Sequence, residues 1–368
     1  MQIALTGKLA KALGMKPPAI DENIDPLFTW TANWAKVWEN RRTEDLLVLV
    51  NNATRFTVAV YQVKRKDLNK IEEKIKNAIR NTLLAYNLNT EMVDVYLDLS
   101  GAIEYTKNSS RHASAWVTKA GLECSFHIGR EYNGIDKMYS DVIGVASNYR
   151  IVNYSNNKGE GFYTYKAMIK AMEDLTGLQP YKSRAFELRI TLDLEVYTAE
   201  RKILVPANLS FTNMHKVIQK LFDWSNYHLY NFTVFNQLTG DKELSLVPFM
   251  EDLEYDSSAI IMKEHTLSDV FPKSKKMVYT YDFGDNWKHD IELVQVIEEY
   301  DGELPYLIEA KGQTPPEGVG GIGGFVEFRE IMLDKDNPNY EETKNWSRLW
   351  TPELSEWKSR PRVIDVWW

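Results

Sequence analysis

The chain contains a single cysteine, Cys124, among its 368 residues. One cysteine excludes an internal disulfide bond and every zinc site built on paired cysteines. Cys124 lies in the short alternating run GLECSFHIG, which favours a buried thiol over a catalytic nucleophile.

Long apolar runs are absent as well. No stretch approaches the ~18 residues that a membrane-spanning helix needs. The N-terminal segment has lysines but lacks the apolar core and the small-residue cleavage site of a signal peptide. No repeat period or low-complexity tract is present. We therefore expect a cytoplasmic protein without a membrane partner.

The composition is that of a globular protein, with 44% hydrophobic and 26% charged residues, and the length allows two domains with a core each. Charge is unevenly spread. Residues 1–180 contain 23 basic and 20 acidic side chains, a net charge of +3, whereas residues 181–368 contain 21 and 32, a net charge of −11. Because phosphate binding depends on clustered Lys and Arg, a nucleic-acid surface is expected in the first half rather than the second.

The most basic element is predicted at residues 64–86. Apolar residues recur there at helical spacing, which predicts an amphipathic helix whose buried face carries Leu68, Ile71, Ile75, Ile79 and Leu83. The remaining faces carry Lys64, Arg65, Lys66, Lys70, Lys74, Lys76 and Arg80. A solvated helix face is the favoured interpretation, and contact of Lys70 and Lys74 with nucleic acid is the alternative.

Three tryptophans, Trp30, Trp34 and Trp38, recur every four residues just before Arg41 and Arg42. This spacing suits one face of a helix, and aromatic stripes of that kind usually face a core. Exposed beside the two arginines, the rings would instead form a stacking and phosphate-binding surface for single-stranded nucleic acid.

The pattern of elements predicts an α+β protein of two domains, residues 1–178 and 186–368, divided at the proline-containing segment 178–185. The second domain begins with a ββαβ order like that of a β-grasp unit. A further hairpin and C-terminal helices follow. The predicted elements are strands at 186–196, 200–206 and 229–235, and helices at about 211–223, 325–334 and 338–350.

The stretch YTYDFGDNWKHDIEL, residues 279–293, crowds aromatic, acidic and histidine side chains around Gly284. Its aromatic and apolar residues alternate with polar ones on both sides of the glycine, which predicts a β-hairpin with one buried face. The letters Asp-Phe-Gly also occur in protein kinases, but the lysine strand and the catalytic loop of a kinase are missing. The hairpin accounts for all of the stretch except Asp282 and His289, and a hydrogen-bonded core histidine is the favoured interpretation of His289.

Three segments carry a resemblance to a known family: RKILVPANLSFTNMHKVIQKLFDW, YTYDFGDNWKHDIEL and GQTPPEGVGGIGGFVEF. Together, over residues 186–350, they resemble the Ri-plasmid ORF-three-like family, which is also met as a passenger protein of insertion elements. The first half, with WTANWAKVWENRRTEDLLVLVNNATRFTV, resembles a smaller uncharacterised domain family. No activity is assigned to the plasmid family, so the resemblance implies an architecture and a mobile-element context rather than a reaction.

One departure from the family pattern matters. Many members resemble Gly-Ala-Cys-Pro-Pro-Glu-Asp-Cys-Gly-Gly where this chain reads GQTPPEGVGG at residues 312–321. Both cysteines are absent. A metal or redox role for those cysteines in other members is therefore not available to this chain.

Metal-assisted chemistry is one alternative for the second half. Asp282 and Asp285 would hold the ion of a hydrolase or nuclease, and His289 would act as its general base. The histidines of this half show no HxxxH or HxH spacing, so a site would need them to converge in the fold; they are His215, His228, His265 and His289.

The glycine-rich segment GVGGIG, residues 318–323, matches the letters of a dinucleotide-binding motif. It follows Thr-Pro-Pro-Glu rather than a strand, and no parallel strand comes after it, so a dinucleotide site is disfavoured. A helix beginning near Phe325 would offer backbone N–H groups to an anion or carboxylate. Tight packing of the loop is the favoured interpretation.

The leading hypothesis is a non-enzymatic binding or regulatory protein of mobile elements. The hairpin at 281–289 and the Gly-rich loop at 312–325 would form a recognition pocket for a partner protein or a small anionic ligand. The alternatives are the metal-assisted hydrolase or nuclease and nucleic-acid binding by the first domain. No residue pattern identifies a cofactor. The candidate ligand-binding residues are Trp287, Gly320, Gly321, His215 and His228, and the candidate nucleic-acid contacts are Arg41, Arg42, Lys70 and Lys74.

Overall fold

The structure is a computed structural model that describes residues 1–37, 45–131, 143–149, 151–153, 161–236, 238–347, 350–351 and 358–364. The chain divides into two compact units, Met1–Lys182 and Ser183–Val366. Both units combine helices with sheets, so the predicted α+β class with two domains is confirmed. None of the described helices is long and apolar enough to cross a membrane.

Unit 1 is built on a five-stranded sheet in the order β4-β3-β2-β1-β5. Its first strand is parallel to both of its neighbours, and the remaining pairs are antiparallel. Strands β6 and β7 form a separate antiparallel pair. The strands are β1 (Gln2–Leu5), β2 (Thr29–Ala35), β3 (Leu46–Asn51), β4 (Thr57–Tyr61), β5 (Glu104–Lys107), β6 (Ile151–Val152) and β7 (Phe162–Tyr163).

The described helices of unit 1 contribute apolar side chains to two cores that they share with this sheet. A 3₁₀ helix, Arg65–Lys70, runs directly into α2, and together they match the helix predicted at 64–86. All five residues of its predicted apolar stripe are buried. The helices are α1 (Gly7–Leu13), α2 (Ile71–Leu84), α3 (Thr90–Leu99), α4 (Arg111–Glu131), α5 (Gly144–Ser147) and α6 (Thr164–Thr176).

One local prediction in unit 1 was wrong about the element. Trp30 and Trp34 lie on strand β2 rather than on a helix, although both face the core as expected. Residues four apart share a face in a strand as well as in a helix, so the spacing could not separate the two. Cys124 lies in helix α4, and its thiol, which is buried as the favoured interpretation expected, is 3.3 Å from the Ser147 hydroxyl. Trp38, Arg41 and Arg42 lie outside the described residues.

Unit 2 is built on a ten-stranded sheet in the order β12-β11-β10-β13-β14-β8-β9-β15-β16, and β17 also pairs with β15. Four α-helices accompany it among the described residues. The strands are β8 (Ser183–Asp193), β9 (Thr198–Pro206), β10 (Tyr230–Phe235), β11 (Lys242–Val247), β12 (Ile260–Ile261), β13 (Lys276–Tyr281), β14 (Trp287–Tyr300), β15 (Tyr306–Lys311), β16 (Lys358–Ser359) and β17 (Arg362–Val363). The helices are α7 (Phe211–Phe222), α8 (Leu267–Val270), α9 (Gly321–Leu333) and α10 (Tyr340–Ser347).

The predicted ββαβ order is observed as β8, β9, α7 and β10. Ser210 caps the start of α7, because its hydroxyl accepts a hydrogen bond from the Asn213 N–H at 3.2 Å. Strands β8 and β10 are not neighbours, since the hairpin of β13 and β14 lies between them and pairs with both. The hairpin therefore occupies the middle of the sheet.

Pairing within the hairpin follows the predicted alternation. Tyr279 lies opposite His289 and Tyr281 opposite Trp287, and all four side chains are buried. Lys288 lies on the other face and is exposed. A large aromatic side chain buries on the order of 150–250 Å², which at ~25 cal/mol per Å² stabilises the fold by roughly 4–6 kcal/mol before entropy is counted.

Candidate functional site

The turn of the hairpin is organised by Asp282. Asp282 and Asn286 both adopt the left-handed backbone conformation, each with φ of 55°, a region that Asn and Asp tolerate better than other side chains. One carboxylate oxygen of Asp282, Oδ1, accepts hydrogen bonds from the N–H groups of Gly284 at 3.0 Å and Asp285 at 3.3 Å. The Asp282 N–H donates to the Leu229 carbonyl at 2.9 Å. Asp282 thus shapes the turn and attaches it to the segment that precedes β10.

His289 belongs to the core of unit 2. Its side chain is 0% exposed, and its Nδ1 is 3.1 Å from the Trp287 carbonyl, which can only accept, so Nδ1 carries the proton. Its ring packs edge-on against Phe222, with the ring centroids 4.6 Å apart. Burial lowers the pKa of His289 to about 3, because a charged imidazole loses its hydration there. The favoured interpretation of a hydrogen-bonded core histidine agrees with this geometry.

His215 closes a ring of hydrogen bonds between α7, β13 and the loop after α7. Asn226 Oδ1 lies 2.7 Å from His215 Nε2 and can only accept, so the imidazole donates through Nε2 and accepts from the Tyr279 hydroxyl at Nδ1, also at 2.7 Å. Gln219 donates to the Tyr279 hydroxyl at 3.0 Å and accepts from the Asn226 N–H at 2.9 Å. The ring fixes the loop onto the helix.

A neutral imidazole suits this closed ring. A second N–H on His215 could point only at the Tyr279 oxygen, whose own hydroxyl proton would then have no acceptor in the ring. The His215 ring also stacks on Tyr230, with centroids 3.5 Å apart and the planes 4° from parallel. Burial lowers the pKa of His215 to about 4. His215 therefore holds structure at neutral pH rather than exchanging protons with solvent.

Glu317 ties the Gly-rich loop to two other segments. Its Oε1 accepts a 2.6 Å hydrogen bond from the Tyr281 hydroxyl, and its Oε2 accepts a 2.9 Å hydrogen bond from the Ser225 N–H. The Tyr281 oxygen in turn accepts from the Tyr227 N–H at 3.1 Å. One carboxylate thus connects the Gly-rich loop, the end of β13 and the loop after α7.

The Gly-rich loop also meets the hairpin turn at close range. Gly320 caps helix α9, and its N–H donates to Asp285 Oδ2 at 3.2 Å. Gly321 has φ of 68°, and a side chain there would place Cβ 2.6 Å from the Asp285 carbonyl oxygen. The Asp285 carboxylate therefore lies at the start of this helix, and tight packing accounts for the glycine at 321.

A buried arginine supports the segment leading to this loop. Arg201 donates to the carbonyls of Leu221 at 2.9 Å, Lys311 at 2.7 Å and Gly312 at 3.0 Å, and its guanidinium lies 4.6 Å from the centre of the Phe222 ring. Burial lowers the pKa of Arg201 to about 10, so it remains charged at neutral pH. Its charge also lies at the negative end of the α7 dipole.

Three segments therefore meet at one edge of unit 2, and we call them the apex: residues 223–229, 282–286 and 317–320. Large side chains are exposed on it. Tyr227 is 83% exposed and Phe283 49%, and Leu229 is exposed beside them. His228 Nδ1 lies 3.4 Å from Asp282 Oδ2. The apex thus carries exposed aromatic side chains beside a partly buried carboxylate.

The predicted ligand-binding residues separate into two groups. Trp287, His215 and Gly321 are buried beneath the apex, whereas His228 and Gly320 are exposed on it. The buried residues position the apex and cannot contact a ligand directly.

The residues predicted for a metal-assisted hydrolase make other contacts in the structure. Among the described residues, no group of three or more His, Cys, Asp and Glu side chains is placed to hold an ion. Asp282 and Asp285 use carboxylate oxygens on backbone N–H groups, and His289, buried and neutral, cannot serve as a general base in this fold. His265 lies apart from them and pairs with Asp269 at 3.2 Å.

The sequence patterns did not predict several residues that position the apex. The burial of Arg201 could have been predicted, because side chains two residues apart in a strand share a face. Ala199, Arg201 and Ile203 thus share the inward face of β9. The hydrogen-bonding roles of Gln219, Asn226 and Glu317 have no such signal, since their partners lie in other loops.

Each unit of the chain matches the model of a different protein family. Residues 184–359 match the family model described as plasmid pRiA4b ORF-3-like protein, and residues 2–166 match a domain of unknown function, DUF6933. The uncharacterized protein y4hQ of Sinorhizobium fredii (strain NBRC 101917 / NGR234) is 32% identical over 161 residues, which cover 43% of this chain and 78% of that protein. The crystal structure of the protein of unknown function MM3350 from Methanosarcina mazei Go1 shares 32% identity, covering 44% of this chain and 89% of that one, with a TM-score of 0.40.

Proposed function

We propose that this chain, which belongs to the plasmid pRiA4b ORF-3-like family, is a non-enzymatic binding and regulatory protein of mobile elements whose recognition surface is the apex of unit 2. The observation that carries the proposal is the double attachment of Glu317 to Tyr281 and Ser225. These hydrogen bonds within the chain hold three loops in one arrangement. A surface fixed in advance loses little conformational entropy when a partner binds.

Two histidines of unit 2 support binding rather than a reaction. His215 and His289 are buried, and burial lowers the pKa of each below the neutral range. Both imidazoles are therefore uncharged and out of reach of a substrate at neutral pH. Their contacts are those of a scaffold beneath the apex.

The chemistry of the exposed apex favours a protein partner. Tyr227 and Phe283 are exposed aromatic side chains, the kind that anchors protein–protein interfaces. Asp282 and Glu317 add negative charge beside them, within a half of the chain that carries a net charge of −11. A partner with an apolar pocket and basic side chains around it fits this surface.

A small anionic ligand fits less well. The helix start that would attract an anion already holds the Asp285 carboxylate, which accepts the Gly320 N–H. A second anion would meet that charge and the acidic side chains around it.

Site-specific photo-cross-linking in the host cell tests the proposal. A benzophenone amino acid replaces Tyr227 in one variant and Phe283 in another, and Tyr255, which is 90% exposed in the same unit, supplies the control position. We expect the two apex positions to capture the same polypeptide and the control position not to. Absence of an adduct at both apex positions, or the same adduct at position 255, would contradict the proposal.

A further inference from the structure

A groove lined by lysines lies in unit 1, beside the end of β4 and the start of α2. Its volume is about 620 Å³, within the range of small-ligand sites. Four lysines line it: Lys64, Lys66, Lys70 and Lys74. Four basic side chains around one cleft form a strongly positive surface, although the chain as a whole is acidic.

The two acids of the groove offset only part of this charge. Asp67 accepts the Lys64 N–H at 2.9 Å and so caps the 3₁₀ helix. Glu73 lies in the first turn of α2, where a negative charge complements the helix dipole. Four lysines against two carboxylates leave the lining with a net charge of +2.

Three of the four lysines are available to a ligand. Lys64 lies 3.6 Å from the buried carboxylate of Asp45. Within the described parts of the chain, no carboxylate forms an ion pair with Lys66, Lys70 or Lys74, in contrast to Arg80, which pairs with Asp94 at 2.9 Å. The basic residues of this element are therefore divided between structural contacts and the groove.

The walls of the groove are anchored in the core. The Trp34 indole donates to the Val63 carbonyl at 2.9 Å, and the Val63 N–H donates to the Asp45 carbonyl at 3.0 Å. On the helical side, Leu68, Ile71 and Ile75 are buried. Core contacts therefore hold the backbone that carries the lysines in place.

We propose that this lysine groove binds the phosphate backbone of single-stranded nucleic acid. Lysine ammonium groups are point charges that neutralise phosphates without reading bases. A concave groove receives a single strand, whereas duplex readers insert a projecting helix or ribbon into the major groove. Tyr61 also lines the groove, and aromatic side chains beside a basic channel stack nucleic-acid bases. This site is separate from the apex and does not depend on the function proposed for it.

Fluorescence anisotropy with a labelled twelve-residue oligothymidylate tests the inference on the full chain. We expect binding at 20 mM salt to weaken roughly 100-fold at 200 mM, because three phosphate contacts give a slope of about −2 in log K against log salt. The triple variant Lys66→Glu, Lys70→Glu, Lys74→Glu should lose binding at least tenfold more strongly than the control triple Lys11→Glu, Lys16→Glu, Lys119→Glu. The control triple makes the same charge change at exposed lysines of unit 1 that do not line the groove.

Three results would overturn the inference: no binding at 20 mM salt, equal losses in the two triple variants, or tighter binding of a duplex with the same number of phosphates. Competition by inorganic triphosphate tests whether the groove binds small anions instead. If it competes at the same phosphate concentration as the oligonucleotide, and a four-residue strand binds as well as twelve residues, the groove takes small anions and the single-strand assignment is wrong. Circular dichroism confirms that each variant is folded.

Discussion

The Tyr281 hydroxyl donates a 2.6 Å hydrogen bond to the carboxylate of Glu317, 36 residues further along the chain. Burial raises the pKa of Tyr281, and the Glu317 carboxylate raises it further, so the phenol remains a donor throughout the neutral and mildly alkaline range. A hydrogen bond to a charged acceptor is stronger than one between neutral groups. This contact joins the central hairpin of unit 2 to the Gly-rich loop.

A double-mutant cycle on Tyr281→Phe and Glu317→Gln measures that contact. We expect each single variant to lower the free energy of unfolding by about 1–2 kcal/mol. The pair should show a coupling energy of about 1 kcal/mol, because Tyr281→Phe removes the donor and Glu317→Gln replaces the charged acceptor of the same hydrogen bond with a neutral amide. Urea unfolding followed by tryptophan fluorescence supplies the values. The matched control Glu327→Gln, at an exposed position on α9, should change stability by less than about 0.5 kcal/mol. A coupling energy near zero contradicts the assigned contact.

Two glycines of the same loop make a matched pair. Gly321→Ala places a Cβ 2.6 Å from the Asp285 carbonyl oxygen at a φ of 68°, and we expect a loss of more than about 2 kcal/mol. Gly323 lies in α9 with open space around its Cβ position. Gly323→Ala should therefore be neutral or stabilise by up to about 1 kcal/mol. Thermal unfolding of the two variants measures the difference. Similar melting temperatures would contradict the close contact between Gly321 and the Asp285 carbonyl oxygen.

Variants of Asp282 distinguish the proposed binding function from the alternative of a metal-assisted hydrolase. Asp282→Asn retains an acceptor for the Gly284 and Asp285 N–H groups and tolerates positive φ, so it should lose less than about 1 kcal/mol. Asp282→Ala lacks both properties and should lose about 2 kcal/mol. Differential scanning fluorimetry should show no stabilisation of the wild type by millimolar magnesium, manganese or zinc. A metal-dependent rise in melting temperature that disappears in Asp282→Ala would favour the hydrolase instead.

The buried histidines make stability depend on pH in a defined direction. Burial lowers the pKa of His215 to about 4 and of His289 to about 3, whereas an unfolded histidine titrates near ~6.5. Below about pH 6.5 the unfolded chain binds protons that the folded chain does not, so acidification destabilises the fold until the folded-state pKa values are reached.

We expect each histidine to contribute up to about 1.4 kcal/mol of lost stability per pH unit within that window. Urea unfolding at pH 7 and pH 5 measures the loss. His215→Gln and His289→Gln should each reduce the difference between the two pH values, since glutamine does not titrate. If neither variant changes the difference, the two imidazoles are not buried and neutral in the folded protein.

The hairpin could be predicted from the sequence because its information is local. Alternation over residues 279–293 predicted both strands and the buried face, and it left Asp282 and His289 unexplained. The structure accounts for both by contacts that a two-residue period does not encode: a left-handed turn residue that accepts two N–H groups, and a histidine enclosed by aromatic rings from α7 and β13.

Other features could not be predicted because their partners are distant along the chain. Glu317 bonds to Ser225 across 92 residues, and no spacing rule links two such loops. The tryptophans of β2 show a different limit, since a repeat of four residues fits one face of a helix and one face of a strand equally well. Neighbouring hairpin signals, rather than the repeat, would have separated the two.

The most direct test of the recognition surface is the affinity of the cross-linked partner for variants of the full chain, measured by isothermal titration calorimetry. Tyr227→Ala with Phe283→Ala removes the two exposed aromatic anchors of the apex, whereas Tyr255→Ala with Phe249→Ala removes two exposed aromatic side chains elsewhere in unit 2. Because an interface anchor contributes about 2 kcal/mol or more, we predict that the apex variant weakens binding at least 100-fold and the control variant less than twofold. Equal affinities for the two variants would contradict the assignment of the apex as the recognition surface.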